Sequence, residues 1–461
     1  MQRLYLGIVL SAALALTACS DDDDNSSTTP PPTPAPAPAP AEMSMVRVIH
    51  ASADAPMVNV MANDAELLTD VDYAMSSGLL SVESATYAIS VDAKLPGDET
   101  ATVLSTELMA EADMEYTAVA VGSVAGESLQ LALIANATSE IAAGYARVQV
   151  LHGTVGVGLV DVYVTAVDAD ITDMAPTLSV DFMDNTDQLE IMAGDYQVRI
   201  TGSGQKDAVY DSGAINLAAE TDYLLTAVTN VWSGDSPVAL LAALPEGQAL
   251  IQDKNAGADL RVVHAVADAP AVDVFLDGSM TAAVDMLSFG EVTGYLNVPE
   301  GEHTVTVAAD ADNSVVVIDE APVSLDQGMS YSALAIGSLG DEIMPWVLMD
   351  SPRRVATAAK LNIAHASFSA GNVDIYLTAT DDISDAAPAL SDVPFMVASG
   401  ALEVAAGDYV VSVTPHDSKD VAIGPLSISL MAGGIYSVAA VDAAGGGTPL
   451  GVILMDDFVA N

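Results

Sequence analysis

Four histidines recur along the chain, and imidazole is the side chain best suited to proton transfer and metal ligation near neutral pH. They are 102, 112 and 101 residues apart, and each one ends a short apolar run. Each shares strand parity with the apolar residues two and four before it, so we expect its ring to face a core. A metal site needs several ligands close together, and one histidine per repeat does not supply them. We therefore predict a structural role for His50, His152, His264 and His365, with a backbone carbonyl or Asn59, Asp161, Asp273 or Asp374 on the next strand as the partner.

Clustered aspartates offer a second kind of chemistry, because carboxylate oxygens are the ligands that calcium prefers. Two acidic loops occupy matching places in the second and fourth repeats described below. They lack the spacing and the terminal glutamate of an EF-hand loop, so a solvated acidic loop without an ion is the alternative. The candidate calcium ligands are Asp168, Asp170, Asp173, Asp381, Asp382 and Asp385, and no other cofactor is expected.

Catalytic motifs are missing from the sequence. There is no Gly-x-Ser-x-Gly elbow, no His-Glu-x-x-His helix and no phosphate-binding loop with its lysine. Nothing selects one pair of carboxylates among 64 acids, and two tryptophans give little aromatic surface for sugars. The sequence predicts a non-enzymatic protein, with a carbohydrate-active enzyme as a remaining alternative.

The charge of the chain narrows the choice of partners. Sixty-four acidic residues face twelve lysines and arginines, which gives a formal net charge of −52. Such a field repels nucleic acid and anionic lipid surfaces, so we expect no nucleic-acid partner. An acidic surface serves solubility, and divalent-cation binding is the functional alternative.

Repetition shows which elements must position these residues. The run 46–51, Val-Arg-Val-Ile-His-Ala, returns in related form at 148–153, 260–265 and 361–366, and a second strand begins eight residues after each histidine. Repeats 1 and 3 share an Ala-Asp-Ala-Pro turn, whereas repeats 2 and 4 share an extra segment, which indicates duplication of a two-domain unit. A tyrosine opens a late strand in every repeat, at Tyr116, Tyr223, Tyr331 and Tyr436.

Each repeat consists of about a hundred residues of short alternating runs separated by Gly, Pro, Asn and Asp, which is typical of two packed antiparallel sheets. The recurring tyrosine resembles the tyrosine corner of Ig-like domains, with its hydroxyl bonded to nearby backbone. The predicted fold class is therefore all-β, with four tandem Ig-like antiparallel β-sandwiches. They are expected at 45–140, 146–245, 258–350 and 359–461, with linkers at 135–145, 245–259 and 351–359.

The N-terminal residues predict export and lipid attachment. Residues 1–18 have the short positive start and apolar stretch of a signal peptide. They end in Leu-Thr-Ala before Cys19, which resembles the bacterial lipobox, where the cysteine becomes the acylated N-terminus. Residues 19–44 are acidic and then rich in Pro and Ala, which favours an extended tether. An aspartate does not follow Cys19 directly, which by the same resemblance favours the outer membrane over the inner one.

The strand motifs also resemble a known family. Arg261–Pro270, followed by Val272-Asp273-Val274-Phe275, is similar to the opening of the domain-of-unknown-function 4397 family. Repeats 2 and 4 depart from this pattern after their histidines, at 153–156 and 367–370. The resemblance implies secreted bacterial β domains, often in tandem on envelope proteins, and implies no activity.

These observations lead us to expect an envelope lipoprotein that acts as a spacer and as an interaction or adhesion module. It would contact the membrane through its N-terminal lipid, and a protein or polysaccharide through its domains. The alternative is a periplasm-facing scaffold or ligand-binding lipoprotein, and the sequence leaves the choice between surface and periplasmic face open. His303 and His416, outside the recurring motif, are expected to be ordinary surface residues.

Overall fold

The computed structural model of the protein describes residues 41–459, and every regular secondary-structure element in that range is a β-strand. The predicted signal peptide, Cys19 and most of the predicted tether lie outside the described residues. The first strand begins at Met43, so the prediction that the tether runs to residue 44 is wrong by two residues. Residues 41–459 contain no apolar helix of the length that a membrane crossing requires.

Repeats 1 and 2 each contain nine strands. Those of repeat 1 are β1 Met43–His50, β2 Val58–Ala62, β3 Ala65–Val71, β4 Met75–Ser76, β5 Leu80–Glu83, β6 Thr86–Leu95, β7 Glu99–Met109, β8 Met114–Val121 and β9 Gln130–Ala137. Those of repeat 2 are β10 Tyr145–His152, β11 Val160–Thr165, β12 Leu178–Val180, β13 Leu189–Met192, β14 Gly194–Gly202, β15 Ala208–Leu217, β16 Asp222–Thr229, β17 Val238–Ala243 and β18 Gln248–Ile251.

Repeats 3 and 4 each contain eight strands among the described residues. Those of repeat 3 are β19 Ala258–His264, β20 Val272–Leu276, β21 Val284–Leu287, β22 Leu296–Val298, β23 Gly301–Ala309, β24 Asp312–Leu325, β25 Ser330–Gly337 and β26 Ile343–Asp350. Those of repeat 4 are β27 Ala359–His365, β28 Val373–Thr378, β29 Leu390–Val393, β30 Val397–Val404, β31 Gly407–Pro415, β32 Ile423–Leu430, β33 Ile435–Val441 and β34 Gly451–Asp456.

Every repeat is a sandwich of two sheets, which confirms the predicted fold class. The first sheet contains the strand with the recurring histidine, in the orders β4-β1-β8-β9 (β5 also pairs with β1), β13-β10-β16-β17-β18, β22-β19-β25-β26 and β30-β27-β33-β34. The second sheets are ordered β3-β2-β6-β7, β12-β11-β14-β15, β21-β20-β23-β24 and β29-β28-β31-β32. Most pairs are antiparallel, but each histidine strand pairs in parallel with the strand that the recurring tyrosine opens.

One face of each histidine strand packs inside its own sandwich. In repeat 3, Leu260 and Val262 on β19 meet Val272 and Val274 on β20 in a shared core. These residues alternate along both strands, because successive side chains of a strand point to opposite faces. The recurring histidine has the same parity as Leu260 and Val262, so it also lies on this inner face.

The opposite face of the same strand is buried as well, against the neighbouring repeat. Val263 and Ile336 of repeat 3 pack with Ala439 and Ile453 of repeat 4. A corresponding core joins Ile49 and Val119 of repeat 1 to Leu151, Leu224 and Leu241 of repeat 2. The first sheets are therefore covered on both faces, and strands covered in this way are apolar at consecutive positions. Repeats 1 and 2 form one pair, and repeats 3 and 4 form the other.

The chain between repeats is also structured. The predicted linker 245–259 contains β18, which pairs with β17, and the predicted linker 135–145 overlaps the end of β9. Residues 351–358 lack strands, yet the backbone N–H of Ala356 donates to the carbonyl of Asp54, 2.7 Å away in repeat 1. The chain from Glu42 onward forms one compact unit, and the contacts between repeats explain this.

Candidate functional site

The four recurring histidines clamp the turn that follows their own strand. Each ring is only 1% exposed, and its Nε2–H donates to the backbone carbonyl six residues later. In repeat 1 the acceptor is Pro56 at 3.0 Å, and Nδ1 of His50 accepts from the backbone N–H of Ser52. The other three Nε2 contacts are His152 to Gly158 at 3.3 Å, His264 to Pro270 at 2.9 Å and His365 to Gly371 at 3.0 Å.

Burial disfavours the charged form of three of these rings. It lowers the pKa of His50, His152 and His264 below the usual histidine value, since removing an imidazolium from water is unfavourable. In the same three repeats both ring nitrogens are engaged by backbone groups. A ring bonded in this way has no nitrogen free for a metal or for a substrate proton. The partner is the backbone carbonyl, not the residue on the second strand.

An aromatic ring that sequence reasoning missed packs edge-on against each histidine. The ring centroids lie 6.2 to 6.4 Å apart and the planes are nearly perpendicular, in the pairs His50–Tyr73, His152–Phe182, His264–Phe289 and His365–Phe395. Three of the six phenylalanines in the chain occupy this position, which is the signal that could have revealed it. The spacing from the histidine varies among the repeats, and this hid the pattern.

The recurring tyrosines close a backbone turn. The hydroxyl of each accepts a hydrogen bond from the backbone N–H five residues upstream, as in Tyr331, which accepts from Asp326 at 3.1 Å. The same contact is made by Tyr116, Tyr223 and Tyr436. The tyrosines thus join the strand that they open to the end of the second sheet, and their hydroxyl groups satisfy backbone donors at the turn between the two.

The two histidines outside the motif each contact an aspartate. The His303 side chain is only 9% exposed, and its ring contacts Asp277 Oδ2 and the Pro299 carbonyl, both at 2.8 Å. His416 lies at the surface as expected, with Nδ1 3.0 Å from Asp374 Oδ1. These carboxylates raise the pKa of both histidines. The expectation of an ordinary surface residue is therefore corrected for His303 alone.

The predicted calcium ligands do not converge. None of the six aspartates belongs to a group of three close ligand atoms within residues 41–459. Asp170 and Asp382 instead accept hydrogen bonds from the backbone N–H groups of Thr172 and Ser384, at 2.9 and 3.0 Å. The structure therefore does not bring Asp168, Asp170, Asp173, Asp381, Asp382 and Asp385 together as preformed calcium ligands, and calcium binding there stays a prediction.

A lysine of the chain supplies the positive charge in each of these loops. Lys419 Nζ donates to the carbonyls of Ile383 and Ala386, at 2.8 and 2.7 Å, and lies 4.4 Å from the centre of the Tyr376 ring. Lys206 has the same role in repeat 2, where it donates to Tyr163 Oη and to the Met174 carbonyl. In each loop an ammonium group is thus bonded to at least one backbone carbonyl.

Three other carboxylates do come together in repeat 3. The ligand atoms of Asp273, Asp285 and Asp310 lie within 4.8 Å of one another, and the charge of Asp273 raises the pKa of Asp285. The equivalent of Asp273 in repeat 2 is Asp161, which accepts from the hydroxyl of Ser179. In repeat 3, Asp285 occupies the position that corresponds to Ser179, so a second carboxylate replaces the hydroxyl donor. Exposed acidic groups often occur without an ion, so the cluster alone does not define a metal site.

Arg261 forms a buried ionic network between repeats 3 and 4. It lies on the face of β19 that meets repeat 4, and its side chain is only 5% exposed. The guanidinium donates to Asp456 Oδ1 at 2.6 Å and to Ser332 Oγ at 2.7 Å, and Asp350 lies 3.5 Å away. Burial raises the pKa of Asp350, and the arginine opposes that effect.

Arg47 occupies the matching position in repeat 1, where it donates to Glu115 at 3.0 Å. Sequence reasoning missed both arginines. The signal was available, because a chain with only twelve basic residues has one at the same place in two apolar strands. A basic residue there predicts a buried partner across the sheet.

A cleft of about 430 Å³ opens beside this network. Tyr295, Asn362 and Arg354 line it, and the Tyr295 ring lies 4.9 Å from the Arg261 guanidinium. In the other pair of repeats, the turn before β18 covers the corresponding edge, where the N–H of Leu79 donates to the carbonyl at position 245. The described part of repeat 4 has no strand corresponding to β18. The cleft therefore presents hydrogen-bond donors and acceptors around the aromatic ring of Tyr295.

Arg353 ties the chain between repeats 3 and 4 to repeat 1. It donates to the carbonyls of Ala53 and Ala55, at 3.3 and 2.8 Å, and forms an ion pair with Asp72. Its guanidinium lies 5.7 Å from the Tyr73 ring centre. These partners are about three hundred residues away in sequence, so no local signal could have indicated them.

The fold and these contacts define a chain of tandem β-sandwich domains whose recurring polar residues bond mainly to their own backbone. The model of the family described as "Domain of unknown function (DUF4397)" matches residues 44–163 and 258–376, more than half of the chain. The chain therefore belongs to this family, as the strand motifs predicted. A search of curated proteins found no match.

Each matched region contains one whole repeat and the start of the next. The regions end at Tyr163 on β11 and at Tyr376 on β28, in the second strands of repeats 2 and 4. The extra loops held by Lys206 and Lys419 begin just after these points. The match thus ends just before the extra loops that repeats 1 and 3 lack.

Proposed function

We propose that the protein is a lipid-anchored, non-enzymatic component of the bacterial cell envelope that acts as a spacer and an interaction module. The observation that carries this proposal is the pairing of repeats through shared apolar cores. Because the paired sheets are buried on both faces, each pair resists bending at the junction between its domains. A rigid body of this kind holds its outer loops and sheet edges in fixed positions for a partner.

The N-terminal segment supplies the anchor and the reach. Cys19 follows a lipobox-like sequence, and a doubly acylated protein stays on a membrane where a single chain would dissociate. The acidic and proline-rich segment after it extends at most about 75 Å at the polyproline II rise per residue. Such a tether keeps an acidic body away from an anionic lipid surface.

The non-enzymatic role is supported by what the chemically reactive residues do. The recurring histidines clamp turns through Nε2, three of them through Nδ1 as well, and the lysines of repeats 2 and 4 bond loop carbonyls. These groups are committed to the fold of their own repeat. Residues that recur in every domain serve what all the domains share, which is folding.

A periplasm-facing ligand-binding lipoprotein is the second candidate, and the cleft beside Arg261 favours it. Ligand sites are commonly clefts of about 300–1,000 Å³ at domain interfaces, and this cleft has that size and place. Its mixture of carboxylates, amide and guanidinium suits a neutral ligand with several hydroxyl groups.

Acylation and display are tested in cells that carry a tag after Asn461. We expect metabolic labelling with an alkyne fatty acid to mark the wild-type chain and the control Ser20→Ala, but not Cys19→Ser. Label retained by Cys19→Ser would refute the anchor. Protease added to unbroken cells should remove the tagged domains, whereas protection until the outer membrane is opened would refute outward display and favour the periplasmic candidate.

A further inference from the structure

An apolar cavity of about 220 Å³ lies between the two sheets of repeat 1, at the end where His50 clamps its turn. Its lining is almost entirely hydrocarbon. Valines, alanines and leucines from both sheets contribute, among them Val58, Val91, Ala93, Leu104, Ala120 and Leu129. The cavity comes close to the surface beside Val103, which is 40% exposed.

The other three sandwiches have almost no such space. The corresponding slots measure about 20 Å³ in repeats 2 and 3 and about 40 Å³ in repeat 4. In repeat 3 one continuous core fills the space between the sheets, whereas the core of repeat 1 is divided into two small clusters. Protein interiors are normally close-packed, so a cavity in one of four related domains is a specific feature of that domain.

The polar groups at the wall are satisfied, with one exception. His50 and Ser52 are bonded to backbone groups, and the Ser52 hydroxyl donates to the carbonyl of Gly122 at 3.0 Å. Thr357 also lines the cavity, and its buried Oγ1 has no hydrogen-bond partner within residues 41–459. That oxygen is closed off from the cavity as well, because no polar atom contributes surface to the lining. A ligand in the cavity therefore contacts hydrocarbon alone.

Thr357 reaches repeat 1 because the segment 351–358 is docked there. Its neighbour Ala356 donates to the carbonyl of Asp54 at 2.7 Å, and Arg353 bonds the same turn. The wall of the cavity is therefore completed by a segment about three hundred residues away in sequence. The contacts that dock the segment 351–358 on repeat 1 therefore also complete the wall of the cavity.

We propose that repeat 1 binds a small apolar molecule in this cavity, of the class of single-ring aromatic hydrocarbons. An apolar cavity of about 150 Å³ stays dry and accepts benzene, so 220 Å³ accommodates a substituted ring. Apolar walls select against charged ligands and against a polar substituent, which would lose its hydrogen bonds to water without replacement. This inference does not depend on membrane anchoring or on the envelope role.

The test uses toluene and p-cresol as probes, with the chain from residue 20 onward, titrated by calorimetry and by ligand-observed NMR. We expect toluene to bind, and p-cresol to bind at least about 5-fold more weakly, because its hydroxyl finds no partner in the cavity. Absence of toluene binding at millimolar concentration overturns the proposal, as does binding of p-cresol as tight as that of toluene.

A cavity-filling variant locates the site. Ala93 pairs with Val58 at the cavity, and Ala309 pairs with Val272 at the matching place in repeat 3. We expect Ala93→Leu to weaken both probes more than about tenfold, and Ala309→Leu to leave them unchanged. Unchanged binding by Ala93→Leu, or loss of binding by Ala309→Leu, overturns the assignment. Because the comparison of toluene with p-cresol tests the cavity without any substitution, the proposal stays falsifiable if Ala93→Leu does not fold.

Discussion

Arg261→Met should destabilise the pair formed by repeats 3 and 4 much more than the other pair. The substitution keeps an apolar stem but removes the charge that bonds Asp456 and lies 3.5 Å from Asp350. Removing one partner of a buried ion pair costs about 3–5 kcal/mol, because the other charge is left without compensation. Both aspartates are 18% exposed and retain some water, so we expect about 3 kcal/mol.

The effect should depend on pH in a defined direction. Burial already raises the pKa of Asp350, and loss of the arginine raises it further. The folded variant therefore takes up a proton more readily than the unfolded chain as the pH falls, and this uptake stabilises it. The deficit relative to wild type should be largest at neutral pH and should shrink toward pH 5. Asp350→Asn combined with Arg261→Met should recover part of the loss.

The two tryptophans make the measurement specific. Trp346 packs against the core between repeats 3 and 4, and Trp232 packs against the core between repeats 1 and 2. Denaturant unfolding of variants that retain one tryptophan each reports on one pair at a time. We expect Arg261→Met to shift the Trp346 transition strongly and the Trp232 transition far less. An unchanged Trp346 transition, or equal shifts of both, would refute the reasoning. Lys94→Met, which removes an exposed ion pair with Asp70, is the control and should change neither.

Three further predictions use the same assays. Leu241 is fully buried between repeats 1 and 2, whereas Leu133 is 49% exposed. Leu241→Ala should therefore cost about 2–5 kcal/mol in the Trp232 transition, and Leu133→Ala less than about 0.5 kcal/mol. Similar costs for the two variants would contradict the shared core. Tyr331→Phe leaves the N–H of Asp326 without its acceptor and should cost about 1–3 kcal/mol in the Trp346 transition; an unchanged transition would show that the bond is unimportant. Because burial lowers the pKa of His50, His152 and His264, the stability that these neutral rings contribute is complete above about pH 6.5 and is lost as the pH falls below that value. NMR titration should place those three pKa values below 6.5 and the pKa values of His303 and His416 above it, and the reverse order would contradict the assigned contacts.

The repeats and their sandwich fold could be predicted because the required pattern is local. The histidine strand, the second strand eight residues later and the tyrosine strand recur with short spacing, and alternation then implies two packed sheets. The pairing of repeats was also present in the sequence, since Val262 and Val263 are both apolar on one strand. Consecutive apolar residues indicate a strand that is covered on both of its faces.

The sites were harder to predict because their contacts are not local. The acidic loops have the composition of a metal site, but a distant residue contacts them. In repeat 4, Lys419 donates to loop carbonyls that lie more than thirty residues earlier in the chain. The Arg353 contacts and the cavity that Thr357 completes join positions about three hundred residues apart. Sequence periodicity carries no information about which distant loop docks on which turn.

Hydrogen exchange of the intact chain tests the shared cores most directly. Strands β34 and β32 are both sheet edges in repeat 4, but Ile453 and Met455 of β34 belong to the core shared with repeat 3. Most of β32 is exposed or half-buried on the second sheet. We predict that amides of β34 exchange at least ~10-fold more slowly than those of β32, because they open only when the pair separates. Equal exchange in the two edges would mean that the repeats fold as independent domains and would contradict the account.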